Sequence, residues 1–271
     1  MARNRSPMVE PSLGRPSYVW GFGQERRLSI LRRYTTLEGR RVLDVGCGIG
    51  TYVRRLMEFS HEVYGVDVDE ERVRRGSREV PNLALAVAEN LPFADNVFDF
   101  ILLNEVLEHV RDERATLREA LRVAKPGGRV AVYTPNRLFP FETHGILLGR
   151  RHLFGNVPFV NYLPGPLRRR LAPHVRAYSA RDLLALHKGL PARLVAHSYV
   201  FPGFDKTAGR SRLLASLLRH LCYALENTPL AIFGLSHLMI LEKSDQARAD
   251  PASAMSSEEG RPERSEGKTG D

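Results

Sequence analysis

Cysteine is scarce in this chain. The 271 residues hold two, Cys47 and Cys222, with no paired spacing, so neither a disulfide framework nor a Cys-based zinc site is expected. Long apolar runs are also missing. The best stretch, residues 228–241, falls short of the roughly 20 residues a membrane span needs and contains Ser236 and His237. Residues 1–16 are polar and interrupted by Pro7, Pro11 and Pro16, without the apolar segment of a secretory signal. A soluble, cytoplasmic protein is the expectation.

Acidic residues thin out in the second half. The net charge is +9, from 40 Lys and Arg against 31 Asp and Glu, and the basic residues gather between 150 and 219, with the triplet Arg168-Arg169-Arg170. The plain reading is a solvated arginine-rich surface. The sharper one is attraction to an anionic substrate, a phospholipid surface or nucleic acid. Charge alone does not choose among them.

What is present is an alternation of short apolar runs and helical periodicity. Strands are expected over 41–45, 62–68, 83–88, 98–103, 129–133, 192–200 and 238–242. Helices are expected over 24–37, 51–58, 70–78, 112–124, 179–190 and 210–225. The run at 98–103 is almost wholly apolar, as in a strand buried on both faces. This order predicts an α/β fold: a Rossmann-like, doubly wound sheet of about seven strands with helices on both faces. One domain over 17–244 is expected, with a disordered arm at 1–16 and a disordered, Ser/Glu/Gly-rich tail at 245–271. Residues 136–178 carry several Pro and Gly and no long periodic run, which predicts an inserted lid.

The first strand runs into Val45-Gly46-Cys47-Gly48-Ile49-Gly50. Glycines there permit positive φ and a close approach of backbone to ligand, at the carboxyl edge of a parallel sheet where ligands bind. Asp67 closes the second strand and can accept hydrogen bonds from both hydroxyls of a ribose. A dinucleotide site is the competitor, since it also pairs a glycine turn with an acid. Asp44, immediately before the turn, opposes that reading: a carboxylate there suits a cationic ligand and would repel a pyrophosphate.

The string from Val42 to Gly50 resembles motif I of the class I S-adenosylmethionine (SAM)-dependent methyltransferases. Asp67 matches their acid after strand two. Residues 91–99, Leu-Pro-Phe-Ala-Asp-Asn-Val-Phe-Asp, resemble the segment leading into strand four, and residues 121–128 the Lys-Pro-Gly-Gly turn before strand five. The resemblance covers about residues 40–135. It implies that Asp44, Gly46, Cys47, Gly48 and Gly50 face the methionine part of SAM, that Asp67 holds the ribose, that Val68 packs on adenine beside Ala88 and Glu89, and that Asn104 reaches the methionine end. Val87 departs from the pattern, because many relatives carry an adenine-contacting Asp there.

Beyond the fourth strand, Glu105, Glu108 and His109 are spaced to share one face of a helical turn. With His144 they could hold a divalent cation, Mg, Mn or Zn. The segment resembles the Glu-x-x-Glu-His of ubiquinone-biosynthesis O-methyltransferases and of small-RNA 2′-O-methyltransferases, which implies a metal that positions a substrate oxygen. The alternative is a pocket-lining histidine, as in metal-free relatives. His109 and His144 are the catalytic candidates, as base or as ligands. The expected activity is methyl transfer to an oxygen of a small-molecule or lipid-like acceptor. RNA 2′-O-methylation is the second reading, and a non-enzymatic SAM-fold binding protein the third. The lid aromatics Phe139, Phe141, Phe154, Phe159, Tyr162 and Tyr178 are candidates for acceptor choice, with Tyr18 and Trp20 as a cover. The basic helix at 210–225 is expected to pack on the sheet with its arginines solvated; peripheral membrane contact or pairing with another subunit are its alternatives.

Overall fold

The structure is a computed structural model, which describes residues 20–149, 151–153 and 155–245. The arm expected at 1–16, nearly all of the tail expected at 245–271, and Tyr18 and Phe154 lie outside the described residues. Among the described residues no helix is long and apolar enough to cross a membrane.

The chain alternates strand and helix through its first half: α1 (Phe22–Leu31), β1 (Val42–Val45), α2 (Thr51–Leu56), β2 (Val63–Asp67), α3 (Glu70–Gly76), β3 (Leu83–Leu85), β4 (Phe98–Asn104), α4 (Glu113–Val123) and β5 (Ala124–Pro135). After the lid come α6 (Ala180–Ala185), β10 (Ala192–Val200), α7 (Asp205–Ala208), α8 (Arg212–Leu225) and β11 (Ser236–Lys243). Seven strands form one sheet in the order β10-β11-β5-β4-β1-β2-β3. From β3 to β5 neighbouring strands are parallel, and β11 lies antiparallel between β5 and β10. This is the doubly wound sheet the sequence predicts.

Alternation along the strands builds two cores. On β4, Ile101 and Leu103 join one cluster with Leu117 and Leu121 of α4 and Leu183 of α6. Phe100 and Leu102 join the other, with Leu28 and Leu31 of α1 and Val53 and Leu56 of α2. Each such buried side chain stabilises the fold by about 1.5–3 kcal/mol, so the sheet's edges are rigid supports. Local chemistry starts the helices: Asp69, Asp112 and Ser179 accept from the backbone N–H of Arg72, Ala115 and Asp182 at 3.1, 2.9 and 3.2 Å.

The order reverses between β1 and β4, which opens a crevice at their carboxyl ends. The lid over it is not structureless. It folds into two short antiparallel pairs, β6 (Phe141–Glu142) with β9 (Val157–Pro158) and β7 (Ile146–Leu148) with β8 (Arg151–Leu153), followed by α5 (Gly165–Leu171). These pairs are too short to leave a clear period in the sequence. The Lys125-Pro126-Gly127-Gly128 segment, expected as a stop before the fifth strand, falls inside β5, where the register with β4 shifts between Phe98 and Phe100.

Candidate functional site

The crevice is a cavity of about 1630 Å³. Its floor is the glycine turn. The N–H groups of Gly46 and Cys47 both donate to Val66 O, at 2.7 and 2.9 Å, so the turn is pinned to β2. Gly46, Gly48 and Gly50 have φ of 75°, 58° and 81°, the left-handed region that disfavours side chains. A Cβ on Gly46 would lie 2.5 Å from Val106 Cγ2. Gly50 does not line the cavity. It starts α2 at positive φ, with Val80 and Leu83 on the side a Cβ would occupy.

Two acids stand at the ends of β1 and β2. Asp67 lines the cavity and is fixed by the N–H groups of Gly48 (2.7 Å) and Asp69 (2.9 Å). Asp44 is 2% exposed. Burial, and then the nearby Asp67, push its carboxyl well above the ordinary range, and a cation entering beside it would relieve both effects. The Cys47 thiol is likewise raised by burial, which makes it inert as a nucleophile. Val68, half exposed, borders the same space together with Val87, Ala88 and Glu89. Glu89 also accepts from Arg111 N at 2.8 Å, which ties that wall to the start of α4.

Asn104, Glu105 and His109 line the other wall, and here the structure corrects the expected helical turn. Glu105 has φ of 59°, and residues 107–109 form a single turn closed by His109 N to Val106 O, 2.9 Å. The left-handed step turns Glu105 toward Arg27 of α1, a residue that no local signal marked, while its carboxyl stays within reach of Glu108. Arg27 donates from Nη1 to Asn104 Oδ1, and from Nη2 to Glu105 Oε1 and Ser236 Oγ, each at 2.7 Å. Burial pushes the Glu105 carboxyl up, but the charge of Arg27, followed by that of His144, outweighs it and holds the group at about 2. Glu108 behaves oppositely. It is 2% exposed, and neither carboxyl oxygen has a donor in reach. Burial and the charge of Glu105 raise it well above the ordinary range, so it keeps a proton that it can donate to Glu105.

His109 Nδ1 lies 3.2 Å from the carbonyl of His174. A carbonyl only accepts, so Nδ1 carries the proton and Nε2 presents a lone pair. Burial, followed by His144, lowers this imidazole to about 4, leaving it neutral at pH 7. His144 sits across from it, with ring centroids 5.5 Å apart. Its Nδ1 reaches Glu142 Oε1 at 3.2 Å, and Glu142 Oε2 accepts from Arg168 Nη2 at 2.6 Å. Arg168 is 4% exposed and also binds Asn161 Oδ1 and Val175 O, at 3.1 and 3.0 Å. This arginine, read from the sequence as solvated surface, is a buried strut that orients Glu142 and through it His144.

Of the four expected metal ligands, Glu108, His109 and His144 bring ligand atoms within 4.8 Å of one another. Glu105 is not in that group. Two further histidines that sequence reasoning missed, His152 and His174, line the cavity beside them, with rings 5.0 Å apart. Of the lid aromatics, Phe139 and Phe141 line the cavity, Phe159 and Tyr162 are exposed, and Tyr178 is buried with its hydroxyl on Leu107 O at 2.9 Å. Trp20 packs edge-on against Tyr52 at 4.9 Å and belongs to the core on the α1 side. The cover is α1 itself. Phe22 and Gly23 N–H donate to Asp205 at 2.6 and 3.0 Å, joining the start of α1 to the start of α7 at the cavity.

Residues 43–132 match the family model of a methyltransferase domain. The demethylmenaquinone methyltransferase of Corynebacterium urealyticum is 40% identical over 117 residues, 42% of this chain and 50% of that protein. The ubiquinone biosynthesis O-methyltransferase of Idiomarina loihiensis is 31% identical over 140 residues, 49% of this chain and 57% of that one. The chain spans about half the length of the curated relatives it matches. A solved S-adenosylmethionine-dependent methyltransferase from Mesorhizobium loti shares the fold, with a TM-score of 0.56 at 18% identity over 79% of this chain and 96% of that one.

Proposed function

We propose that this chain, whose residues 43–132 match the model of a methyltransferase domain, is an enzyme that binds SAM in the crevice between β1 and β4 and transfers its methyl group to a small acceptor held under the lid. The observation that carries this is the pair of acids on the glycine turn. Asp44 is buried at the cavity wall, where burial and the nearby Asp67 push its carboxyl up, at the position where a ligand amino group and sulfonium would stand. Asp67 is held by two backbone N–H groups with its remaining lone pairs at the cavity, where ribose hydroxyls can donate. Bound SAM would supply an activated methyl group. The chain then needs to align an acceptor atom, which is an entropic task, and to exclude water, which α1 and the lid do.

An oxygen acceptor is the reading favoured by His109. Its free Nε2 stays unprotonated at pH 7, so it can take a hydroxyl proton as the methyl bond forms. Phe139 and Phe141 give the acceptor side an apolar wall. A second reading of the same residues rests on Glu108. Its two donor-less oxygens, together with His109 and His144, make a carboxylate–imidazole set that suits a divalent cation. Such an ion would lower the pKa of an acceptor hydroxyl. Metal analysis of the purified chain before and after chelation separates the two: base catalysis by His109 predicts unchanged activity without metal.

The test of the main proposal is calorimetric titration of the full chain with S-adenosylhomocysteine. Binding that Asp67→Asn weakens is the expected result. No binding by the wild-type chain overturns the proposal.

A further inference from the structure

Helix α8 does not pack as its sequence suggests. Its inward side is taken up by Ala215, Arg219, Tyr223 and the following Glu226. Arg219 donates to Gly203 O at 2.7 Å and lies 3.8 Å over the Phe22 ring. The Tyr223 hydroxyl donates to Pro202 O at 3.2 Å, and Glu226 pairs with Arg26. In consequence the leucines point away from the protein. Leu213 is 86% exposed, and Leu217 and Leu221 are each 57% exposed. They stand one turn apart on a single stripe, with Leu214 beside it. Leu230, Ile232 and Phe233, in the short turn of helix at Pro229–Phe233, are exposed as well.

The charge around this stripe has one sign. Residues 206–225 contain Lys206, Arg210, Arg212 and Arg219 and no Asp or Glu. Lys206, Arg210 and Arg212 are exposed, and Arg212, Ser216 and His220 form the polar edge of the helix next to the leucines. The nearest acids are engaged: Asp205 accepts from the start of α1, and Glu226 pairs with Arg26. An apolar stripe edged by cations, on a helix with a strong polar–apolar division, is the pattern that lies in the plane of a lipid–water interface. Apolar patches of this extent are uncommon on a monomer surface and mark interaction sites.

We propose that α8 docks the chain on an anionic phospholipid surface, with Leu213, Leu217 and Leu221 among the acyl chains and Arg210 and Arg212 at the headgroups. The observation that selects lipid over a second copy of the chain is the charge: two copies meeting through α8 would bring like charges together, whereas an anionic surface neutralises them. The placement also has a structural sense. Helix α7 leads directly into α8, and its Lys206 and Thr207 line the cavity, so docking puts the cavity rim at the interface. The proposal concerns binding and stands or falls separately from the methyl-transfer reading.

The experiment is flotation of the full chain with vesicles of phosphatidylcholine alone and of phosphatidylcholine with phosphatidylglycerol, in parallel with sedimentation of the protein alone. The chain is expected to float with the anionic vesicles only, and less at high salt. Leu213→Asp with Leu217→Asp, and separately Arg210→Glu with Arg212→Glu, should each weaken binding by about ten-fold or more, with an unchanged far-UV circular dichroism spectrum and thermal melt as the check of folding. Three results would overturn the proposal: no flotation by the wild-type chain, equal flotation with neutral vesicles, or a dimer that the leucine substitutions dissolve. The last would assign the stripe to a second copy.

Discussion

Arg27→Met removes the guanidinium that joins α1 to the catalytic edge while keeping most of the side chain's apolar bulk. Three hydrogen bonds go with it, to Asn104, Glu105 and Ser236. Stripping one partner from a buried ion pair costs about 3–5 kcal/mol, mainly because the other charge is left without compensation. The Glu105 side chain keeps 26% of its exposure, so water screens part of that loss and the lower end, about 3 kcal/mol, applies. For a domain of this size that is a fall in melting temperature of about 6–12 °C. Glu105→Gln leaves the cation unpaired instead. If the pair is the source of the loss, the double variant is less destabilised than the sum of the singles by about 1–3 kcal/mol.

The pH dependence separates this account from a simple packing defect. In the wild-type chain the folded Glu105 titrates at about 2, below the usual unfolded value of about 4.3. Its contribution is therefore present above the unfolded value and is lost as pH falls toward 2. In Arg27→Met, burial acts without the cation, so the folded value rises above the unfolded one. The deficit of the variant is then largest at neutral pH and shrinks as pH falls to about 4. Thermal melts of both chains from pH 7 down to 4 check this. A deficit that does not change with pH, or a double variant whose loss equals the sum of the singles, would refute the charge argument.

Gly46→Ala should weaken S-adenosylhomocysteine binding by more than about ten-fold and destabilise the chain by about 1–2 kcal/mol or more through its positive φ, since its Cβ would also meet Val106 Cγ2 at 2.5 Å; adding Val106→Ala should recover the steric part alone. Asp67→Asn keeps an acceptor for Gly48 N–H but loses the charge, and calorimetry should read a loss of affinity of about 10- to 100-fold, the size of one charge-assisted hydrogen bond. Gly203→Ala would place a Cβ 2.4 Å from Gly23 N; hydrogen exchange at Phe22 and Gly23, whose amides are bound to Asp205, should accelerate while the amides of β4 stay protected.

The parts of the site that were legible in the sequence are those built from neighbours in the chain. The glycine turn, Asp44 and Asp67 follow from backbone rules that operate over a few residues, and the doubly wound sheet follows from alternating periods. The strands of the seven-stranded sheet were expected within a few residues of where they lie, except at β5, where the register shift absorbs the Pro-Gly-Gly segment; the four short strands at 141–158 were not expected. The reversal at Glu105 was not legible. Spacing alone places residues 105, 108 and 109 on one helical face, but Arg27 and Ser236 reach Glu105 from 78 and 131 positions away. No local pattern records such contacts. His152 and His174 were missed for the same reason: one stands on β8 and the other follows α5, and only the fold brings them to the cavity with their rings 5.0 Å apart.

Two arginines explain why the acids of this site differ so sharply in character. Arg27 keeps Glu105 ionised, and that charge in turn helps hold the proton on Glu108. Against burial, hydrogen bonds from the His144 side chain and backbone N–H, and then the charge of Arg168 behind it, hold the Glu142 carboxylate below its ordinary range, so it can receive the Nδ1 proton of His144. That hydrogen bond fixes the tautomer, leaving Nε2 as the acceptor, the same arrangement that the His174 carbonyl imposes on His109. Both imidazoles thus carry their proton on Nδ1: His109 is set by a carbonyl 65 positions away, and His144 by a carboxylate two positions before it that Arg168 holds in place. Whether the pair takes a proton or holds a cation, the preparation is the same: two imidazole nitrogens held near one another, with a protonated carboxyl alongside. A charged residue's place in the sequence therefore said little about its role, whereas what stands behind it in the fold said most of it.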